Sequence, residues 1–219
     1  MSLDSRRSES TNGRGRTSRE PATERGRQSR QRILEAAERV FGEKGYFPAS
    51  ITEITREAGV AQGTFYVHFK SKRDVFSELL EALGKHVRET TRVAAAGGKN
   101  RLEAEEFGLA AYFRFVNEHP NWYRIVRQAE FVDAAAFRNY YLRLLAGYRH
   151  GLEAAMARGE IHENDPETLA FCLMGVADLV GMRWPYWTRQ RIPRHVFDAM
   201  MRFIRRGIDA SAAADTRGT

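Results

Sequence analysis

The segment that most narrows what this chain can fold into is residues 50–72, SITEITREAGVAQGTFYVHFKSK. Ser50-Ile51-Thr52-Glu53 has the order of a capping box, in which hydroxyl and carboxylate satisfy the first free amides of a new helix. That helix carries Ile51, Ile54 and Ala58 on one face and ends near Gly59. Gly59-Val60-Ala61 leaves room for a single turn, and a second short helix follows over 62–69. Phe65 and Phe69 are four apart and share the inward face, with Val60 beside the turn. The outward set is Gln62, Thr64, Tyr66, Val67 and His68, with Lys70 and Lys72 just beyond. Such a face suits a nucleic-acid groove: Gln bonds to adenine edges, a Thr methyl meets thymine, and Tyr and Lys reach phosphates. The plainer alternative is a helical hairpin whose polar face meets only water. The one-glycine turn, the outward aromatic residues and the basic chain on either side weigh against it.

The rest of the chain, from about residue 27, is helical in pattern almost throughout. Ile33, Leu34, Ala37, Val40 and Phe41 mark one apolar face, and Gly45 can serve as a left-handed stop. Ser71-Lys72-Arg73-Asp74 is a second box-like start, opening a helix with Val75, Leu79, Leu80 and Leu83. Further helices are expected at about 101–117, 122–127, 134–158, 165–184 and 193–209. Their punctuation is Gly97-Gly98, His119-Pro120, Gly159, Asp165-Pro166 and Pro185. No alternating strand pattern and no internal repeat is present, so the fold class is all-α.

Charge is unevenly placed. Residues 1–32 hold nine arginines against four acids, so that segment carries +5 of the chain's net +7. Residues 1–26 have almost no large apolar side chains and are expected to be a disordered arginine-rich tail. A basic tail attracts polyanions and releases counterions from phosphates. Gly13, Arg14, Gly15 and Arg16 resemble, in one copy, RNA-binding arginine-glycine segments. Residues 169–182 are largely apolar but interrupted by Asp178, too short to span a bilayer. No basic-then-apolar leader is seen, and the single cysteine, Cys172, fits a reducing cytoplasm; no membrane partner is expected.

Residues 32–72 are similar to the DNA-binding domain of the TetR family of transcriptional regulators. The resemblance rests on the helix over 32–41, Gly45-Tyr46, Ile54, Ala58-Gly59-Val60, Gly63-Thr64-Phe65-Tyr66 and His68-Phe69-Lys70-Ser71-Lys72. It implies a three-helix DNA-binding head over 27–74, whose recognition helix is 62–69. It further implies that Tyr66 and Lys70 or Lys72 anchor phosphates, and that Gln62, Thr64 and His68 lie near bases. It also implies that Ser50 meets the DNA backbone and that Thr52 and Gly63 belong to the same interface. Ala61 stands where the family commonly has Ser or a similar polar residue.

By the same resemblance, 75–210 form a helical body for effector binding and dimerisation, followed by a disordered tail at 211–219. The last two long helices, about 165–184 and 193–209, pack against their copies in the family. Leu169, Leu173, Val176, Val180, Val196, Met200 and Phe203 are the candidates for that seam, though each alone fits a protomer core equally well. A homodimer is independently reasonable, because one short recognition helix contacts few bases and two copies about 34–36 Å apart read an inverted repeat. The middle helices are dense in aromatic residues. Phe107, Phe113, Trp122, Tyr123, Phe131, Tyr141 and Tyr148, with Asp178, are candidates to line a pocket for an elongated, largely apolar effector such as a lipid or acyl thioester. As a stripe at helical spacing the same residues read as core. Asp178 and Arg183, in an otherwise apolar helix, are expected to be solvated or paired before they are ligand-facing.

Two rivals remain. An enzyme is disfavoured: six scattered histidines show no i, i+4 pair, no phosphate loop, nucleophile elbow or cysteine pair occurs, and no cofactor or metal is implied. Cys172 is expected to be a buried small hydrophobe. A basic nucleic-acid-binding protein acting non-specifically through its tail is the other alternative; it predicts binding that is independent of DNA sequence and lost with the tail. The function expected is that of a dimeric, ligand-responsive regulator, with repression the family's usual mode.

Overall fold

Residues 23–209 are described in the computed structural model, and they form nine α-helices. The expected tails therefore lie outside the described residues, except for 23–26. Those four begin the first helix, α1 (Glu24–Lys44), because Thr23 Oγ1 accepts the Gly26 amide at 3.2 Å. Gly45, at φ +89°, ends it, with its amide bonded to Phe41 O.

Two short helices follow. The capping box of α2 (Ile51–Glu57) is complete: the Glu53 amide bonds Ser50 Oγ at 3.2 Å and the Ser50 amide bonds Glu53 Oε2 at 3.0 Å. Gly59 takes φ +63°, a left-handed turn that side chains disfavour, and so lets α3 (Gln62–His68) cross α2 after so few residues. α4 (Lys72–Ala95) starts at Ser71, whose Oγ accepts the Asp74 amide at 3.1 Å. Its 24 residues make a rod about 36 Å long.

The body comprises α5 (Arg101–Glu118), α6 (Pro120–Val132), α7 (Ala134–Ala157), α8 (Pro166–Gly181) and α9 (Arg194–Ile208). α6 is twice the length its aromatic cluster predicts. Pro120 sits in its first turn, and the chain stays helical until Asp133, which accepts the Ala136 amide at 3.1 Å and so caps α7. α8 opens at Asp165, which accepts the Thr168 amide at 2.7 Å. Its regular α-helix ends at Gly181 rather than near Trp184. Pro185 removes an amide from the ladder, and residues Met182–Tyr186 widen into a π turn.

The apolar interior divides in two. One cluster runs from Ile33, Phe41, Ile54, Phe65 and Phe69 through Phe76 and Leu80 to Trp122, Ile125 and Tyr140. It joins the three head helices to α4, α6 and α7. The second cluster, including Leu109, Leu152, Leu173 and Ile204, binds α5, α7, α8 and α9. The head is thus welded to the body by apolar contact across α6; truncating one of its buried phenylalanines to alanine costs about 3–5 kcal/mol.

Candidate nucleic-acid interface and ligand cavity

The head presents α3 outward. Gln62 and Gly63 are exposed at its start, Tyr66 is 54 % exposed and Val67 75 %, while Phe65 is fully buried beneath them. Thr64 is half-buried, and Ala61 caps the helix without a side-chain hydrogen bond. Lys70 stands exposed past the end of α3, its amide bonded to Asp74 Oδ2 at 3.0 Å and its ammonium group without a partner in the described residues. Thr52 is exposed on α2, and so is Ser50, whose hydroxyl is committed to Glu53. Glu53 is held down to about pH 2, first by its Lys44 and then by its Ser50 hydrogen bonds.

Two of the expected DNA contacts are placed otherwise. His68 is 8 % exposed, edge-on to Phe69, because the last turn of α3 rotates it under the helix. Burial, and next the Arg30 charge, lower its pKa, so the head keeps it neutral. The Lys72 ammonium turns back into the protein. It donates to the carbonyl oxygens of Tyr46 at 2.8 Å and Ala49 at 2.7 Å, with Phe47 at 3.3 Å, and lies 4.3 Å from the Tyr46 ring centroid. It therefore closes the turn between α1 and α2. Val67 and Phe47 are the exposed apolar residues of this surface that were absent from the expected interface. Val67 was legible as outward; Phe47 lies in a turn that has no periodicity to orient it.

In the body, α4, α5, α6, α7 and α8 enclose a cavity of about 560 Å³, within the range of about 300–1,000 Å³ usual for small-molecule sites. Four of the expected lining residues are there: Trp122, Tyr141, Tyr148 and Asp178. The other four are not. Phe131 is 77 % exposed on the outer side of α6, and Phe107 is 43 % exposed near Gly97. Phe113 is buried in the second apolar cluster against Phe197. Tyr123 stands behind the wall and donates to Asp178 Oδ1 at 2.8 Å.

Tyr112, Tyr140, Glu105 and Arg101 line the cavity as well, and of these Glu105 and Arg101 were missed by sequence reasoning. Their mixture of aromatic and charged character on α5 and α7 gives no clear inward face. Burial raises the phenol pKa values of Tyr112, Tyr140 and Tyr148 well above normal, so these hydroxyls remain protonated. Asp178 also pairs with Arg127 at 3.4 Å, as a charge in an apolar helix requires, whereas Arg183 is exposed over the Trp184 ring.

One element touches both regions. Trp122 and Val126 of α6 line the cavity. Its other side reaches the head: Arg124 donates to Gly42 O at 3.0 Å and to Glu43 O, and Gln128 Oε1 accepts the Tyr46 amide at 2.7 Å. Asn121 packs so closely on Gly42 that a Cβ there would lie 2.2 Å from it. The last two helices carry exposed apolar residues away from the cavity: Phe171 (45 %), Leu179 (59 %) and Phe203 (69 %). Of the expected seam, Leu169, Leu173 and Met200 face the protomer's own core instead, and Val176, Val180 and Val196 are half-buried. Cys172, expected inside, is exposed on α8. Among the described residues no helix is long and apolar enough to cross a membrane.

A short capped helix, a glycine turn and an exposed second helix, mounted on a helical body with an internal cavity, define a helix-turn-helix transcriptional regulator. Residues 33–79 match the family model of bacterial regulatory proteins, tetR family. The chain is 31 % identical over 159 residues to the uncharacterized HTH-type transcriptional regulator YdgC of Bacillus subtilis strain 168, spanning 70 % of this chain and 80 % of that one. It is 32 % identical over 124 residues to the HTH-type transcriptional activator FasR of Mycolicibacterium smegmatis, 55 % of this chain and 53 % of the relative. The crystal structure of the transcriptional regulator FadR from Bacillus subtilis in complex with stearoyl-CoA superimposes with a TM-score of 0.68 at 20 % identity, over 80 % of this chain and 96 % of that one. The chain belongs to the TetR family of transcriptional regulators.

Proposed function

We propose that this TetR-family chain is a dimeric repressor that binds an inverted-repeat operator and is released from it by a small apolar effector such as a lipid or acyl thioester. The observation that carries the reading is the cavity of about 560 Å³ whose α6 wall also grips the head. Stearoyl-CoA bound to the FadR neighbour supports the effector class. In the dimer, the stripes bearing Phe171 and Leu179 on α8 and Phe203 on α9 meet their copies, with Val176, Val180 and Val196 at their margins. In each head Tyr66 and Lys70 hold phosphates, and Gln62, Thr64 and Val67 face base edges, with Ser50, Thr52 and Gly63 at the rim. A ligand preferring the body conformation with wrongly spaced heads lowers DNA affinity by no more than its differential affinity for the two states, typically about 1–3 kcal/mol.

The test is a mobility-shift assay with DNA flanking the chain's own gene, at near-physiological salt with excess competitor, followed by addition of stearoyl-CoA. A discrete complex on one inverted repeat, weakened at least tenfold by Tyr66→Ala or Lys70→Ala and dissolved by the thioester, is the expected result. Removing residues 1–22 leaves the Thr23 cap of α1 intact. Binding that depends on those residues and is equal on every fragment would replace this reading with non-specific binding through the arginine-rich tail.

A further inference from the structure

The hydrogen-bonding capacity of the cavity wall is lopsided. All three wall carboxylates, Glu89, Glu105 and Asp178, are already engaged, Glu89 by Arg92. Glu105, 2 % exposed, accepts from Tyr148 Oη at 2.7 Å and is ion-paired to Arg101. Asp178 accepts from Tyr123 and pairs with Arg127. Donors, by contrast, are left over. Trp122 is 2 % exposed and its indole N–H has no partner, and Arg101 Nε is buried without one. An unmade hydrogen bond on a buried donor costs about 1–3 kcal/mol.

The α4 side of the cavity adds charge. Lys85, Arg88 and Arg92 line it from α4 and Arg143 from α7. Arg92 is paired with Glu89, and Arg143 with Glu81. The guanidinium of Arg88, a half-buried residue, makes no ion pair or hydrogen bond among the described residues, and neither does the Lys85 ammonium. Burial and then the neighbouring Arg143 charge push the Arg88 pKa down, yet a guanidinium remains cationic at neutral pH. A partly desolvated cation beside a second one is relieved by an incoming anion.

An aromatic wall of this kind would also suit an organic cation. Here the carboxylates that would balance a cation are already paired with the protein's own arginines, and Lys85 and Arg88 oppose its entry. We propose that the cavity selects an amphipathic anion, an apolar chain carrying a carboxylate or phosphate that pairs with Arg88 and an acceptor oxygen for the Trp122 N–H. This rests on the reading of the cavity as the effector site and names the chemistry that site takes.

The test is calorimetric titration of the full chain with four probes that share a ten-carbon chain, below their micelle concentrations: decanoate, decyl phosphate, decan-1-ol and decyltrimethylammonium. At least one anion binds tenfold or more tighter than the alcohol, and the ammonium binds weakest. Decanoate against decyl phosphate distinguishes a carboxylate from a phosphate head. Arg88→Met removes the preference of anion over alcohol while leaving the alcohol within about twofold, which also shows that the variant is folded; Arg88→Lys keeps most of it. An ammonium probe that binds as tightly as the anions, or an anion-to-alcohol ratio unmoved by Arg88→Met, overturns the proposal. Failure of the underlying reading looks different: an Arg88-dependent anion that leaves operator affinity unchanged keeps the anion site and removes its effector role. If none of the four binds, the anion proposal falls; the effector reading falls only if stearoyl-CoA also leaves the operator complex intact.

Discussion

Lys72 and Lys70 are chemically equal and two residues apart, yet the fold gives them opposite work. The Lys72 ammonium reaches carbonyl oxygens 23–26 residues earlier in the chain, whereas Lys70 stands free. Replacing Lys72 by Met leaves two or three carbonyl oxygens without their charged donor and is expected to lower stability in chemical denaturation by about 2–3 kcal/mol. The slope of log affinity against log salt should not change. Lys70→Met is expected to do the reverse, leaving stability within about 0.5 kcal/mol and reducing that slope by about 1. A reduced slope for Lys72→Met would return that residue to the DNA. Nothing in the sequence separates the two lysines, because the decision depends on where the turn at 46–49 comes to lie. His68 failed for a related reason: a polar residue at the end of a seven-residue helix is assigned outward by its type, whereas the close of the helix buries it edge-on to the ring of Phe69.

Helix starts were the most legible part of the chain. Ser50, Ser71 and Asp165 each satisfy the amides their spacing implied, since caps are local chemistry. α6 was the least legible. Its aromatic cluster implied about six residues, while Pro120 and Asp133 mark the ends of a helix of thirteen. Its double role was hidden altogether, because a helix apolar on one side and polar on the other does not disclose that its polar side holds a second domain. Arg124 and Gln128 are the residues that do so. The double change Arg124→Ala, Gln128→Ala is expected to leave stearoyl-CoA affinity within about twofold in the effector reading. It should reduce the coupling of about 1–3 kcal/mol between effector and operator by at least half, measured as operator affinity with and without the thioester. Unchanged coupling would move the connection to α4 alone.

The all-α architecture followed from periodicity and turn residues; which face of each late helix points outward did not. α8 and α9 are apolar enough that Leu173 and Leu179 read alike, but only Leu179 projects from the protomer. Leu179→Glu with Phe203→Glu is therefore expected to yield a folded monomer by sedimentation, with operator affinity down at least tenfold, because a dimer of ordinary size buries roughly 1,200–2,000 Å² and charges at its centre oppose association. Leu173→Glu should instead unfold the body. A dimer that survives the double change would place the seam elsewhere. The Lys72 bridge bears on how such an assembly would be controlled. Since it fastens the α1–α2 turn to the first residue of α4, and Arg30 is paired to Glu78 further along, the reading surface travels as one rigid block with the rod beneath it. An effector would then alter how far apart two blocks stand without altering the letters each one recognises. Promoters sharing identical half-sites but differing by a base pair in their spacers would answer the same metabolite to different degrees, giving a graded programme from a single regulator.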